Sequence, residues 1–124
     1  MDVRLKRAYE PATPADGYRL LIDRLWPRGV SRERAKLDAW EKDLAPSTEL
    51  RQWFGHNPSR FEEFRRRYIE ELGDQRVRLT ALRRRAREGT LTLVFSAHDT
   101  EHNDAVVLAQ VLRRGLPRSH SRRD

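Results

Sequence analysis

Leu20-Leu21-Ile22-Asp23-Arg24-Leu25-Trp26-Pro27-Arg28-Gly29 decides how this chain is read. Three consecutive apolar residues need cover on both faces, which suits a central strand of a layered α/β fold. The run then ends in an acid, two arginines, a tryptophan, a proline and a glycine. In open α/β sheets, ligands sit just outside the carboxyl ends of the strands. A strand over Tyr18 to Asp23 therefore brings a carboxylate and two guanidinium groups to the place where a site is expected.

Outward from this segment the chain alternates between elements with clear punctuation. Val3 to Arg7 alternates apolar and basic residues, the pattern of a half-buried strand. Glu10 to Gly17 holds two prolines and a final Asp-Gly, so it reads as a loop. Ser31 is placed to cap a short helix through Leu37. Asp38 to Leu44 stays open between a strand and a helical turn; Trp40 and Leu44, four apart, favour helix slightly. Ser47 caps a helix whose apolar face is Leu50, Trp53 and Phe54, and Gly55 stops it.

The strongest helix runs from Pro58 to Leu72, with Asn57 as cap and Gly73 as its end. Its Phe61, Phe64, Tyr68, Ile69 and Leu72 form one stripe. Gln75 to Glu88 is a more polar helix ending at Gly89, and its thin face is Val77, Leu79, Leu82 and Ala86. Leu91 to Ala97 is a second buried strand. Asp99 or Thr100 caps a last helix carrying Ala105, Leu108, Ala109 and Leu112, which stops at Gly115-Leu116-Pro117.

Strand, helices, strand, helix is the pattern of a crossover unit between parallel strands. The strands ending at Asp23 and Ala97 should then point the same way. The expected architecture is an α/β domain over residues 3–116: a small, mainly parallel sheet of three to four strands flanked by about five helices in a single layered domain. Residues 117–124 are expected to form a disordered basic tail.

Composition sets the outer limits. A chain of 124 residues suffices for one domain and not for two ordinary ones. Hydrophobic residues make up 37% and charged residues 36%, so the core must be thin and the helices two-faced. No apolar run approaches the ~20 residues that span a bilayer, and Met1 to Lys6 lacks the apolar stretch of a secretion signal. Without cysteine there is no disulfide framework, thiolate metal site or thiol nucleophile. A cytoplasmic protein without a membrane partner is the expectation.

The net charge of +7 rests on 23 arginines and 3 lysines. A basic surface concentrates phosphate-bearing partners, and the planar guanidinium suits phosphate. Yet Arg65-Arg66-Arg67 and Arg83-Arg84-Arg85 are interleaved with Glu62, Glu63, Glu70, Glu71 and Glu88, as on solvated helix faces. Nucleic-acid binding through these helices would need an arginine stripe uninterrupted by acids. That partner is therefore the weaker expectation, and no nucleic-acid motif is present.

Two clusters can carry chemistry. Asp23 at a strand end can be a general base, a metal ligand or an orienter of arginine, and Arg24 and Arg28 can clamp a phosphate or carboxylate. A plain structural ion pair of Asp23 with an arginine is equally compatible with the sequence. Ser96-Ala97-His98-Asp99-Thr100-Glu101-His102-Asn103 lies between a strand and a helix, where unsatisfied N–H groups attract anions. Ordinary capping accounts for part of that cluster. His102 is the expected proton carrier together with Asp23, because histidine as a residue type is suited to proton transfer. Arg24, Arg28, Asp99, Thr100 and Asn103 are the expected ligand-binding residues.

Other chemistry is weakly supported. His98 and His102 have the spacing of a helical zinc pair, but His98 should precede the helix and no cysteine or third histidine is near. No metal is expected. Ser47 lacks an adjacent base and reads as a cap. Gly29, Gly55 and Gly73 form no phosphate-binding or dinucleotide loop, so no cofactor is expected.

Seven motifs occur in order: Lys6-Arg7-Ala8-Tyr9, Asp16-Gly17-Tyr18-Arg19, Asp23 to Gly29, Ala45-Pro46-Ser47, Leu50-Arg51, Trp53-Phe54, and His98 to Asn103. Together they resemble the YeaO-like family, a bacterial domain of unknown function in the DUF488 group, from about Val3 to Leu112. The resemblance implies a small single-domain α/β protein of bacterial cytoplasm, and it implies no particular activity. The wider group is similar in placing cysteines after one strand; this chain has none, so thiol chemistry does not transfer. The expected function is binding of an anionic, phosphate- or nucleotide-like small molecule at the strand ends, with a small enzyme as one form of it. Nucleic-acid binding and a protein-interaction module are the alternatives.

Overall fold

Leu20, Leu21 and Ile22 are all fully buried, as a central strand requires. The computed structural model of the protein describes residues 1–117. From Arg118 on, the expected tail lies outside the described residues. Four strands, β1 (Asp2–Arg7), β2 (Tyr18–Leu21), β3 (Ala39–Trp40) and β4 (Thr90–Phe95), form one sheet in the order β1-β4-β2-β3. Every pairing is parallel. The expected parallel α/β sheet is therefore what the chain forms, and the ends of β2 and β4 lie side by side.

The helices are α1 (Arg32–Ala35), α2 (Thr48–Phe54), α3 (Phe61–Leu72), α4 (Arg76–Glu88) and α5 (Asp104–Arg114). Only four of them exceed one turn, slightly fewer than the sequence led us to expect. The side chains of β2 and β4 point alternately to two faces. Leu20, Leu91, Leu93 and Phe95 join the main core with Phe64, Leu79 and Leu108 from the long helices. Leu21 and Val94 join a smaller cluster with Ala8, Val30 and Ala35, edged by Trp26 and Trp40.

That second face is closed by charge as well as by apolar contact. Arg19 and Asp16 are buried, and Arg19 Nη1 donates to Asp16 Oδ2 at 2.6 Å. Lys6 Nζ reaches the same carboxylate at 3.0 Å. A buried acid is tolerated only with such partners.

Some boundaries differ from the expected ones for identifiable reasons. Asp38 to Leu44 is both things at once: β3 pairs with β2, and a 3-10 turn follows at Lys42–Leu44. The switch comes where Glu41 N donates to Leu21 O, the last ladder bond, at 2.9 Å. Asn57 caps as expected, but its first turn, Pro58–Arg60, is 3-10, and α3 proper starts at Phe61. Gly73 does not halt the chain. It stays right-handed (φ −57°, ψ −24°) and passes through a 3-10 turn into α4. The proline-rich loop also contains a 3-10 turn, Pro14–Asp16.

The most consequential correction concerns α5. Neither Asp99 nor Thr100 caps it; Asn103 does, with Oδ1 accepting from Val106 N at 2.9 Å. The Asp99 carboxylate instead accepts from Glu101 N and His102 N, at 2.9 and 3.0 Å, which closes a turn before the helix. A short acidic side chain readily folds back on its own backbone in this way.

Candidate functional site

The loops leaving β2 and β4 part company at the sheet edge. The first leads to α1 under the smaller cluster, and the second leads to α5 in the main core. Adjacent parallel strands whose connections leave towards opposite faces create a crevice between their carboxyl ends. A cleft of about 770 Å³ occupies this place.

Asp23, Arg24 and Arg28 from the β2 loop line it, as do Ser96, Ala97 and His98 from the β4 loop. Parts of both sequence clusters thus line one cavity, and Asp23 ties them together. Its Oδ2 accepts from both the N–H and the Oγ of Ser96, each at 2.8 Å. Asn103 and Asp104 contribute the start of α5, while Arg51, Phe54 and His56 come from α2 and the turn after it.

Arg7 enters from the end of β1. Its Nε donates to Ala97 O at 2.9 Å and its Nη2 to Ser96 O at 3.2 Å, while the guanidinium lies 5.0 Å from the Tyr9 ring. Arg24 Nε donates to Pro46 O at 3.3 Å. Arg28 and Arg51 are exposed, and no hydrogen bond from either side chain to protein occurs among the described residues. None of these four arginines pairs with a carboxylate among the described residues. The contrast with the helices is sharp: Arg66 and Arg67 both bond Glu63, and Arg78 bonds Glu41 and Asp43.

The acids of the cleft are directed at each other. Burial, and next the charge of Asp23 beside it, push the Asp104 carboxyl well above the usual carboxylate range. Asp104 hydrogen-bonds Asp23, and that contact also favours the protonated form of the Asp104 carboxyl. Behind them stands Tyr68, fully buried, whose hydroxyl donates to Leu44 O. Burial raises its phenol well above the ordinary value, and the charges of Asp104, Asp23 and Glu71 add to that.

His102, Asp99 and Thr100 stand apart from the residues that line the cleft. His102 Nδ1 bonds Asp99 Oδ2 at 2.9 Å, and its ring meets Phe61 edge-on with centroids 5.1 Å apart. The Glu101 N–H and then the His102 side chain hold the Asp99 carboxyl below its usual value. Both residues therefore fix the loop that leads into α5. The donors at the start of that helix are also engaged, since Ala105 N bonds Asp104 Oδ1 at 2.8 Å and Val106 N bonds Asn103.

Arg7, Arg51, His56 and Asp104 also line the cleft, although none is among the residues that the sequence marks as catalytic or ligand-binding. Asp104 reads as an ordinary first-turn acid, the commonest occupant of that position. Arg7 and Arg51 belong to motifs that carry the family resemblance, which is the one signal that singles them out. Among the described residues no group of three or more His, Asp or Glu side chains could hold a metal ion, and no helix is long and apolar enough to cross a membrane.

The chain is similar to known proteins over most of its length. The chain is 43% identical over 113 residues to the Escherichia coli (strain K12) protein described as "Uncharacterized protein YeaO", covering 91% of this chain and 98% of that one. It is 44% identical over 110 residues to "Uncharacterized protein Rv3073c" of Mycobacterium tuberculosis (strain ATCC 25618 / H37Rv), covering 89% and 92%. No solved structure matches. The family DUF488-N3i, described as "Inactive DUF488-N3 subclade", matches residues 2–124, and the chain belongs to it.

Proposed function

We propose that the cleft between the ends of β2 and β4 binds a phosphate-bearing small molecule. One observation carries this reading. Arg7, Arg24, Arg28 and Arg51 line a single cavity, and none is neutralised by an acid among the described residues. Four guanidinium groups held together repel one another unless an anion joins them, and arginine grips phosphate bidentately. The cleft volume lies within the range of about 300–1,000 Å³ typical of small-molecule sites.

The family description "Inactive" favours binding over turnover for this chain. Asp23 and Asp104 then serve recognition rather than acid–base catalysis, and Asp99 with His102 positions the loop. The arginines of α3 favour no nucleic-acid surface, because Glu63 and Glu70 already occupy Arg66 and Arg67.

Calorimetric titration with phosphate, pyrophosphate and ATP at low ionic strength tests the reading. Saturable binding is expected, weakened about tenfold or more by Arg28→Ala combined with Arg51→Ala, as for loss of hydrogen bonds to a charged group. Absence of binding by all three compounds, or affinity untouched by the double substitution, sinks it.

A further inference from the structure

We propose that the anion held by this cleft is a nucleotide, its phosphate on the arginines and the N–H or hydroxyl donors of its nucleoside on the Asp23–Asp104 pair. The inference rests on the phosphate-binding reading above and adds the class of ligand.

The cleft has two chemically opposed parts. Arg28 and Arg51 are exposed, whereas Asp23 and Asp104 are half-buried, with Asp23 held by Ser96 and Asp104 at the start of α5. A compact anion satisfies the first part only. A carboxylate repels phosphate, so an inorganic ion cannot also fill the acidic part. The complementary ligand carries negative charge at one end and neutral hydrogen-bond donors at the other.

The two acids are suited to such donors. One oxygen of Asp23 is taken by Ser96, and one oxygen of Asp104 by Ala105 N. Each carboxyl thus has a second oxygen outside those bonds, and both residues line the cleft. The pair therefore brings carboxyl oxygens from two loops to one wall of the cleft. A ribose hydroxyl or the amino edge of a base presents the matching groups.

The walls supply the remaining argument. Tyr9 and Leu25 are exposed large apolar side chains, 42% and 63% accessible, and both line the cleft beside the half-buried Trp26. The Tyr9 ring carries the Arg7 guanidinium against it, and an exposed aromatic beside an arginine gives a flat ring a surface to pack on. A sugar phosphate has no use for them, whereas a nucleobase does.

Titration of the intact chain with inorganic phosphate, ribose 5-phosphate, adenosine, AMP and CMP separates these possibilities. AMP or CMP should bind at least about tenfold tighter than inorganic phosphate, the effect of roughly one hydrogen bond to a charged group. Ribose 5-phosphate should fall between them, and adenosine should bind more weakly than AMP. Equal affinity for phosphate and both nucleotides overturns the nucleotide proposal and leaves the phosphate site standing. Ribose 5-phosphate as tight as the nucleotides does the same in favour of a sugar phosphate. Adenosine as tight as AMP, or no binding by any compound, removes the phosphate site itself. Asp23→Asn should shrink the preference for AMP over phosphate without loss of phosphate binding, with thermal unfolding as the check on the fold. An unchanged preference in a folded variant overturns the role given to the acid pair.

Discussion

Asp23 Oδ2 accepts two hydrogen bonds from Ser96, one from the backbone N–H and one from the hydroxyl, each 2.8 Å long. The residues follow adjacent parallel strands, so this pair of bonds sets the distance between the two loops of the cleft. Ser96→Ala keeps the backbone bond and loses the hydroxyl one. A hydrogen bond to a charged group is worth about 1.5–3 kcal/mol. The melting temperature should therefore fall by roughly 4 °C per kcal/mol lost, as differential scanning calorimetry would measure.

Asp104 carries the opposite sign. Its carboxyl is raised well above the ordinary value, by burial first and Asp23 second. The folded chain holds a proton that the unfolded chain releases, so this group lowers stability as pH rises above the ordinary carboxylate range. Asp104→Asn resembles the protonated acid and has nothing to release. The variant should melt higher than the native chain at neutral pH, and the gap should close as pH falls towards about 4. Paired thermal melts across that range decide it; a gap independent of pH contradicts a raised Asp104 carboxyl.

Much of this site was legible in the sequence because strand ends announce themselves. Leu20-Leu21-Ile22 followed by Asp23 places a buried strand and its exit, and Leu91 to Phe95 does the same for its neighbour. Parallel pairing then brings Asp23 and Ser96 together without any knowledge of side chains. The start of α5 was not legible. Asp99, Thr100 and Asn103 are all competent caps, and only the backbone turn closed by Asp99 decides among them. Arg7 and Arg51 were hidden for another reason: each lies far along the chain from both clusters, and only the packing of β1 and α2 brings them in.

Gly17 has φ +62°, and a Cβ there would stand 2.4 Å from the Thr90 carbonyl oxygen. That contact is with backbone of the central strand β4, which cannot retreat without breaking its ladder. Gly17→Ala should lose about 2–4 kcal/mol, measured by urea unfolding. Gly73→Ala, with right-handed φ and open space around its Cβ, should be neutral or stabilising in the same assay.

Asp16 gives the fold its acid sensitivity. Burial alone would raise its carboxyl, but the Thr13 N–H, Lys6 and Arg19 outweigh it and hold the value at about 2, against 3.8 ordinarily. A depressed value contributes stability above the unfolded value and loses it as pH falls through the folded one. The difference corresponds to about 2 kcal/mol. Asp16→Asn should therefore be markedly less stable than the native chain near neutrality, and the gap should shrink as pH falls towards about 2, where the native carboxyl takes up its proton. Urea titrations at several pH values would show the two curves converging.

Arg51 and His102 should respond to substitution in opposite ways. Arg51 is exposed, lines the cleft and has no protein partner among the described residues, so Arg51→Ala removes charge from the site and little from the fold. Phosphate affinity should drop several-fold with the melting temperature nearly unchanged. His102 stands outside the lining, clasped by Asp99 and packed edge-on against Phe61. His102→Ala frees the loop before α5 and exposes the Phe61 ring, so the melting temperature should fall. Phosphate affinity should stay within about twofold, a change of under 0.5 kcal/mol. The reverse pattern, with His102→Ala abolishing binding in a chain that melts normally, would return His102 to the site as a ligand-contacting residue.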